Sequence, residues 1–467
     1  MKLPIAFLSI WCFIGLFASR ANPPQLPQNI NTNNILNITD ATFGAVGNGV
    51  ITNTTAIQNA INAAAAGGVT NGLSGGVVEI PAGTFLSGPL ALKSKLQLQL
   101  DAGATLKFLP ESGYPNATGT PAYPLAGTNL TDIIITGSGT IDGNGAGWWS
   151  ANPPNRPYMI YYSKCARLLI EGVTLQNPPK MHLVFKNSAM DITIQGITIN
   201  TIGTSPNTDG IDLIGTNCLV QNCTINAGDD NIALGSSSSS AFTGNVVVTN
   251  CAFGTGHGMT IGSNTQGGVS NLTVIDCSFN GTQYGIRMKT DNASSGGGGQ
   301  GGVAQNLSYY NLKMTNVAVG AIVIYSYYNE VGTPNSITPM MAATQTVDAV
   351  TANTPVWRDI TISNVTATVG ASGIAGIIWA KTECPLTNIT LTGVSITAPR
   401  SFDVYNAYGV TFADSKIAPA SGATYALFNA QVTVTNSSFP GSIPTANAFS
   451  NTTLPAQFPG SKSPSRP

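Results

Sequence analysis

Three cysteines recur at one phase of one local pattern, and this constrains the fold more than any other feature. Val220-Gln221-Asn222-Cys223-Thr224-Ile225, Val248-Thr249-Asn250-Cys251-Ala252-Phe253 and Ile275-Asp276-Cys277-Ser278-Phe279 place them 28 and 26 residues apart. Each motif is two short apolar-alternating runs joined by an Asn or Asp and a Cys. The pattern extends to Leu168–Leu175, Ile192–Ile199, Leu307–Met314, Ile360–Val365, Ile389–Ile396 and Val432–Phe439. One unit of roughly 20–30 residues cannot bury its apolar face alone, so such a repeat signals a stack of coils. Period-two alternation, β-branched residues and Gly/Asn turns make the coils strands. The predicted fold is all-β: a right-handed parallel β-helix, a solenoid with like residues stacked inside. A β-sandwich would not bring cysteines back to one phase of successive units.

Composition agrees. Charged residues are 8% and glycines number 52, whereas a typical soluble domain carries about 25% charge. Long amphipathic helices need more Glu, Lys and Arg than this chain has. The best helical segment is Ala56–Ala65, with Thr54 or Thr55 as the expected N-cap and Gly67-Gly68 as the stop. It suits a short N-terminal capping helix over the open end of the stack. The formal net charge is −1. A general polyanion surface is excluded, nucleic acid is not an expected partner, and affinity for an acidic ligand must come from a few placed cations.

Met1–Ala21 has the form of a secretory signal: Lys2, the apolar run Ile5–Phe17, and Ser19-Arg20-Ala21 as the cleavage site. A membrane anchor is the alternative, but the run is shorter than the ~20 residues of a span. Residues 22–467 are then one exported domain, expected to be a monomer in the extracellular space or periplasm, with no membrane partner. Pro455–Pro467 forms a frayed tail. Cys12 falls in the signal and six cysteines remain. Cys223, Cys251 and Cys277 at one phase favour a buried thiol ladder over disulfides; Cys165, Cys218 and Cys384 are left open. There is no Cys-x-x-Cys pair and there are two histidines, so neither a metal site nor a cofactor is expected.

Chemistry concentrates in four segments: Asn207-Thr208-Asp209, Gly228-Asp229-Asp230, Gly256-His257-Gly258 and Arg287-Met288-Lys289. The chain has 20 acidic residues in all, yet Asp209, Asp212, Asp229 and Asp230 lie close together. Each segment adjoins a strand-like run, so stacked coils would bring them to one face. Carboxylates, an imidazole and two cations converging there suit acid–base cleavage of an acidic polymer. Arg287 and Lys289 flank one residue, and on a strand both point the same way, toward an anion.

These segments, with Phe43–Gly49, Ile141–Gly145, Trp148-Trp149 and Arg156-Pro157, resemble the polygalacturonases of glycoside hydrolase family 28. The resemblance covers nearly all the mature chain. It departs from the family at Met288, where Ile is usual, and at Asn177-Pro178-Pro179-Lys180, where Asn-Ser-Pro is usual. The resemblance implies a β-helix that hydrolyses α-1,4-galacturonosyl bonds of polygalacturonate or pectin with inversion. It implies Asp229 as general acid and Asp209 with Asp230 as the pair that positions and deprotonates water. His257 would support the carboxylates. Arg287, Lys289, Tyr328 and Asn207 would bind substrate, with Tyr325 and Tyr327 as competing registers for Tyr328. Crowded carboxylates keep one acid protonated at mildly acidic pH. Asp212 is expected to support the site by hydrogen bonding, and His182 to be a satisfied structural histidine. The Gly296–Gly302 run suits a cleft loop. The Asn329–Trp357 insertion suits a closed cleft end, with action at chain termini. The competing functions are a related pectin hydrolase acting on rhamnogalacturonan or from the chain end, a non-catalytic wall-binding β-helix, and a calcium-dependent lyase.

Overall fold

The computed structural model describes residues 23–292, 300–328, 339–420 and 426–438. The expected secretory signal, the Pro-rich tail, most of the Gly296–Gly302 run and residues 329–338 lie outside the described residues.

Successive strands stack in parallel into three ladders, each coil contributing a strand to each ladder. The interior rows are apolar and like stacks on like. Leu98, Ile135, Ile170, Ile194, Val220, Val248 and Val274 are consecutive partners in the first ladder. In the second, Phe253 partners Phe279 with ring centroids 4.8 Å apart. This follows from the period of two: alternate residues face inward, and a parallel in-register stack sets equivalent positions about 4.8 Å apart. One contiguous apolar core runs from Ile38 to Ala430.

The turns between ladders explain the abundance of asparagine. Asn217, Asn245, Asn271 and Asn306 all adopt positive φ, between 54° and 57°. Asn tolerates this left-handed conformation better than most residues. Their amides also form a ladder: Asn245 donates to Asn217 at 3.2 Å, Asn271 to Asn245 at 3.1 Å and Asn306 to Asn271 at 3.2 Å. A second turn row holds Asn222, Asn250, Asp276, Asn311 and Asn364 at positive φ. Cys223, Cys251 and Cys277 follow that row, buried and free, with each thiol donating to backbone carbonyls. Cys165, Cys218 and Cys384 are also free and buried.

The N-terminal helix spans Thr54–Ala66, two residues longer at the start than the sequence indicated. Ile57, Ala60, Ile61 and Ala64 form its buried face and join the core. Neither threonine is the cap. Asn53 holds that position, and its side chain ties Val46 N at 2.7 Å and Ile51 O at 2.7 Å instead. Thr54 Oγ1 accepts from Gly88 N at 2.6 Å, binding the helix to the coil beneath.

The third ladder carries the chemistry. Its strands include Leu183–Gln195, Ile211–Gln221, Ile232–Ser236, Met259–Thr265, Tyr284–Lys289, Gly320–Tyr325 and Ile374–Trp379. One outward row reads Tyr161, Val184, Asp212, Ala233, Thr260, Arg287, Val323 and Ile377. Beyond Lys289 the outer face turns apolar: Val323, Tyr325, Ile377, Trp379 and Tyr405 pack with Tyr327, Met341 and Ala342 in a second cluster. Met341 and Ala342 belong to the helix Pro339–Thr344. This described part of the insertion packs against the last strands of the ladder.

Candidate active site

Asp209, Asp229-Asp230 and His257 precede three successive third-ladder strands, and Arg287 and Lys289 lie on the next. Parallel stacking therefore converts distant sequence positions into neighbours. Asp209, Asp212, Asp229, Asp230, Lys289 and Tyr328 line one cleft of about 480 Å³.

Asp230 is its electrostatic anchor. Lys289 Nζ lies 3.0 Å from one carboxylate oxygen and Arg287 Nη1 3.3 Å from the other. Thr260 Oγ1 donates to Asp230 at 2.7 Å. Burial works to raise this carboxyl, but Lys289, Arg287, His257 and the Thr260 hydroxyl overcome it and hold it at about 2. Asp230 is thus an ionised, nearly inaccessible carboxylate. Asp229 faces the same imidazole but is more open, with 21% of its side chain exposed against 4% for Asp230. His257 Nδ1 lies 2.9 Å from Asp229 Oδ1, and Asn207 Nδ2 donates to Asp229 Oδ2 at 3.3 Å.

Asp209 is buried, and burial together with the charges of Asp212, Asp229 and Asp230 raises its carboxyl well above the usual range. Its backbone carbonyl accepts from both the main-chain N and the Nδ1 of His182, each at 2.9 Å. His182 Nε2 meets Thr201 Oγ1 at 2.8 Å. Burial lowers His182 to about 4, so the ring is neutral, donating through Nδ1 and accepting at Nε2. His182 is the satisfied structural histidine expected, and what it fixes is the Asp209 turn.

The structure resolves the tyrosine register. Tyr325 and Tyr327 are buried in the apolar cluster, whereas Tyr328 faces the cleft with Lys289 Nζ 5.1 Å and Arg287 Cζ 6.0 Å from its ring centroid. Asp212 departs from expectation. It lines the cleft, but its Oδ1 is buried without a hydrogen-bond partner, so it acts on its neighbours through charge. Burial pushes it up to about 6 while Lys186 draws it down.

Three supporting residues went unassigned in the sequence. Arg156 is buried; it donates to Asn207 Oδ1 at 2.9 Å and to the Pro179 and Pro206 carbonyls at 3.0 and 2.7 Å. Its presence in the Arg156-Pro157 motif was the available signal. Asn231 donates to the Ile225 and Thr255 carbonyls at 2.9 Å each and accepts from Gly258 N at 2.8 Å, pinning the His257 turn to the Asp230 turn. A Cβ at Gly256 would meet the Asn231 side chain at 2.4 Å, which explains the first glycine of the Gly-His-Gly motif. Tyr284, beneath Arg287 at 4.4 Å, had no sequence signal beyond its strand.

Asp229, Asp230 and His257 also bring possible metal-ligand atoms within 4.8 Å of one another. The fit to a cation is poor: both Asp230 oxygens are already engaged by Lys289 and Arg287, whose positive charges would oppose a metal ion there.

A parallel β-helix with an ionised carboxylate, a more exposed carboxyl beside it and a cationic flank is the arrangement of a polysaccharide-cleaving glycoside hydrolase. The chain belongs to glycosyl hydrolases family 28, whose family model matches residues 74–413. It is 30% identical over 387 residues to an endo-polygalacturonase of Pectobacterium carotovorum subsp. carotovorum, covering 76% of this chain and 87% of that one. Among solved structures, a polygalacturonase from Erwinia carotovora ssp. carotovora aligns with a TM-score of 0.62 and 28% identity, covering 89% of this chain and 99% of that one. An exopolygalacturonase from Thermotoga maritima shares the fold, with a TM-score of 0.65, 22% identity and coverage of 84% and 93%.

Proposed function

We propose that this glycoside hydrolase cleaves the α-1,4-galacturonosyl bonds of polygalacturonate by acid–base displacement with inversion. The observation that carries the reading is the split between adjacent carboxyls: Asp230 clamped ionised by Lys289 and Arg287, Asp229 partly exposed and held by His257 and Asn207. Hydrolysis needs one protonated carboxyl at the leaving oxygen and one carboxylate at water. Asp229 takes the first role. Asp230 takes the second, with Asp209 completing the water site.

The raised Asp209 carboxyl gives the free site a proton at mildly acidic pH. The cause is burial together with the neighbouring charges of Asp212, Asp229 and Asp230. Arg287, Lys289 and Tyr328 bound the side of the cleft where a galacturonate carboxylate is held. A calcium-dependent lyase is disfavoured because the chain's own cations occupy the carboxylate a metal would need.

The same reading treats residues 1–21 as an export signal and residues 22–467 as one catalytic unit, acting as a monomer outside the cytoplasm. N-terminal sequencing and sedimentation of the exported protein test these points. The reaction is tested by incubation with polygalacturonic acid and a chelator. Reducing ends should accumulate without unsaturated product, the first anomer seen by NMR should be inverted, and Asp229→Asn should abolish the release. Unsaturated product would overturn hydrolysis. A steep early viscosity loss would assign internal attack and its absence terminal attack.

A further inference from the structure

Arg287 and Lys289 are committed to Asp230, whereas two other cleft cations are not. Lys180 and Lys186 line the opposite part of the same cleft and form no ion pair among the described residues. Lys180 Nζ instead lies 5.7 Å from the ring centroid of Tyr158. Tyr158 belongs to a half-exposed cluster in which Tyr123 and Tyr158 stack at 5.2 Å, and Tyr123 and Tyr161 lie 4.4 Å apart. Tyr161 sits in the outward row two strands before Asp212, roughly 10 Å away at the ordinary strand spacing. Between the tyrosines and the catalytic carboxyls, the buried Asp212 Oδ1 has no hydrogen-bond partner. On the far side the ladder is sealed beyond Lys289 by Tyr325, Trp379 and Met341. A polymer lying along this outer face therefore has room to extend toward Tyr158 and not toward Trp379.

We propose that Tyr158, Tyr161, Lys180 and Lys186 form a further uronate-binding subsite on the N-terminal-coil side of the catalytic carboxyls. The sugar ring packs against the half-exposed tyrosine cluster, its carboxylate meets the two ammonium groups, and a hydroxyl donates to Asp212. Aromatic faces accept apolar sugar C–H surface, while each lysine acts as a point charge free to meet an anion. The two lysines, whose charges act on Asp209 and Asp212 without a direct ion pair, select an acidic residue there, so the subsite distinguishes unesterified from methyl-esterified galacturonate. The proposal rests on the polygalacturonate reading.

The test compares tri- and pentagalacturonide as substrates for wild type, Lys180→Ala/Lys186→Ala and Tyr158→Ala. The expected result is a fall of roughly tenfold in the pentamer-to-trimer ratio of kcat/KM for the lysine double variant, carried by KM. Lys186→Arg and Tyr158→Phe should retain most of the ratio. A fully methyl-esterified pentamer should be indifferent to the lysines. An unchanged ratio in folded variants, judged by circular dichroism, overturns the subsite. Calorimetry with pentagalacturonide on the Asp229→Asn protein separates the two readings. Lysine-dependent binding without wild-type cleavage would leave the subsite standing and remove the hydrolase assignment. Binding that ignores the lysines, or no binding, would remove the subsite.

Discussion

Lys289 Nζ lies 3.0 Å from Asp230 Oδ2, both side chains being less than one-tenth exposed. The contact sets the charge state of the site, because Asp230 would otherwise be raised by burial. Replacing Lys289 by Met removes the larger cationic influence and leaves Arg287 at 3.3 Å as partner. An unpartnered buried charge costs roughly 3–5 kcal/mol, and Arg287 keeps the loss below that range. Asp230 should then protonate at higher pH, and the acidic limb of kcat/KM should move upward. A pH–rate profile of Lys289→Met checks this; an unmoved limb would mean that Asp230 is not the group that must stay ionised.

Asp212 acts in the opposite direction. Its charge is, after burial, the first of the neighbouring influences that raise Asp209. Asp212→Asn should lower Asp209 and move the alkaline limb to lower pH, because the site gives up its proton sooner. The acidic limb, governed by Asp230, should move less. Profiles of kcat/KM for the two proteins at fixed ionic strength decide the point.

The fold was legible because a β-helix repeats its inward positions, and a repeated position is visible without a structure. Cys223, Cys251 and Cys277 marked the phase, and the segments around Asp209, Asp229, His257 and Arg287 could then be stacked. What could not be read was pairing across coils. Lys289 and Arg287 were expected to meet a substrate carboxylate, yet their nearest anion is Asp230, 59 and 57 residues away in sequence. The Tyr328 register was hidden because it depends on packing across coils: Tyr325 and Tyr327 are buried in the second apolar cluster, whereas Tyr328 lines the cleft. Asn53 was missed as the helix-cap residue because its side chain serves the preceding loop. The asparagine turns were legible in principle: Asn217, Asn245 and Asn271 recur at the cysteine spacing, 28 and 26 residues apart.

Asn245 tests those turns. It holds φ at +55° and bonds both neighbouring rungs, donating to Asn217 and accepting from Asn271. Asn245→Ala adds a left-handed penalty of roughly 1–2 kcal/mol and removes both amide bonds. Asn245→Gly removes the bonds alone and should lose less. Denaturant unfolding should rank wild type above Gly above Ala; equal losses for the two variants would show that backbone conformation contributes nothing.

Acid should unfold the first coils through Asp132. This buried carboxylate accepts from Arg167 at 2.6 and 2.8 Å, from Gln28 N at 3.0 Å, and pairs with Lys95 at 3.0 Å. Burial works to raise it, but these donors hold it well below its ordinary 3.8. A depressed folded-state value contributes stability above the unfolded value, and that stability is lost as pH falls below it. Thermal stability should therefore drop as the pH falls below 3.8. Asp132→Asn should be less stable at pH 6 by roughly 1–3 kcal/mol and should show a shallower acid slope. An unchanged slope would assign the acid sensitivity elsewhere.

The six described cysteines make a final prediction, about what does not hold the molecule together. All are free and buried, and burial pushes Cys384 up to about 12 and Cys218 further still. A thiol reagent attacks the thiolate, so neither inaccessible nor protonated groups should react in the native state. Aromatic disulfide reagent at mildly alkaline pH should find none of them until denaturant is added, and then six in the chain beginning after Ala21. Reductant separates this picture from a disulfide framework. Breaking a native disulfide typically costs about 2–5 kcal/mol, which would lower Tm visibly, whereas a ladder of thiols donating to Gln221, Thr249 and Ile275 carbonyls has nothing to reduce. Tm should be the same with and without dithiothreitol. A fall on reduction would place a disulfide among these residues and require the coils around Cys251 to sit differently.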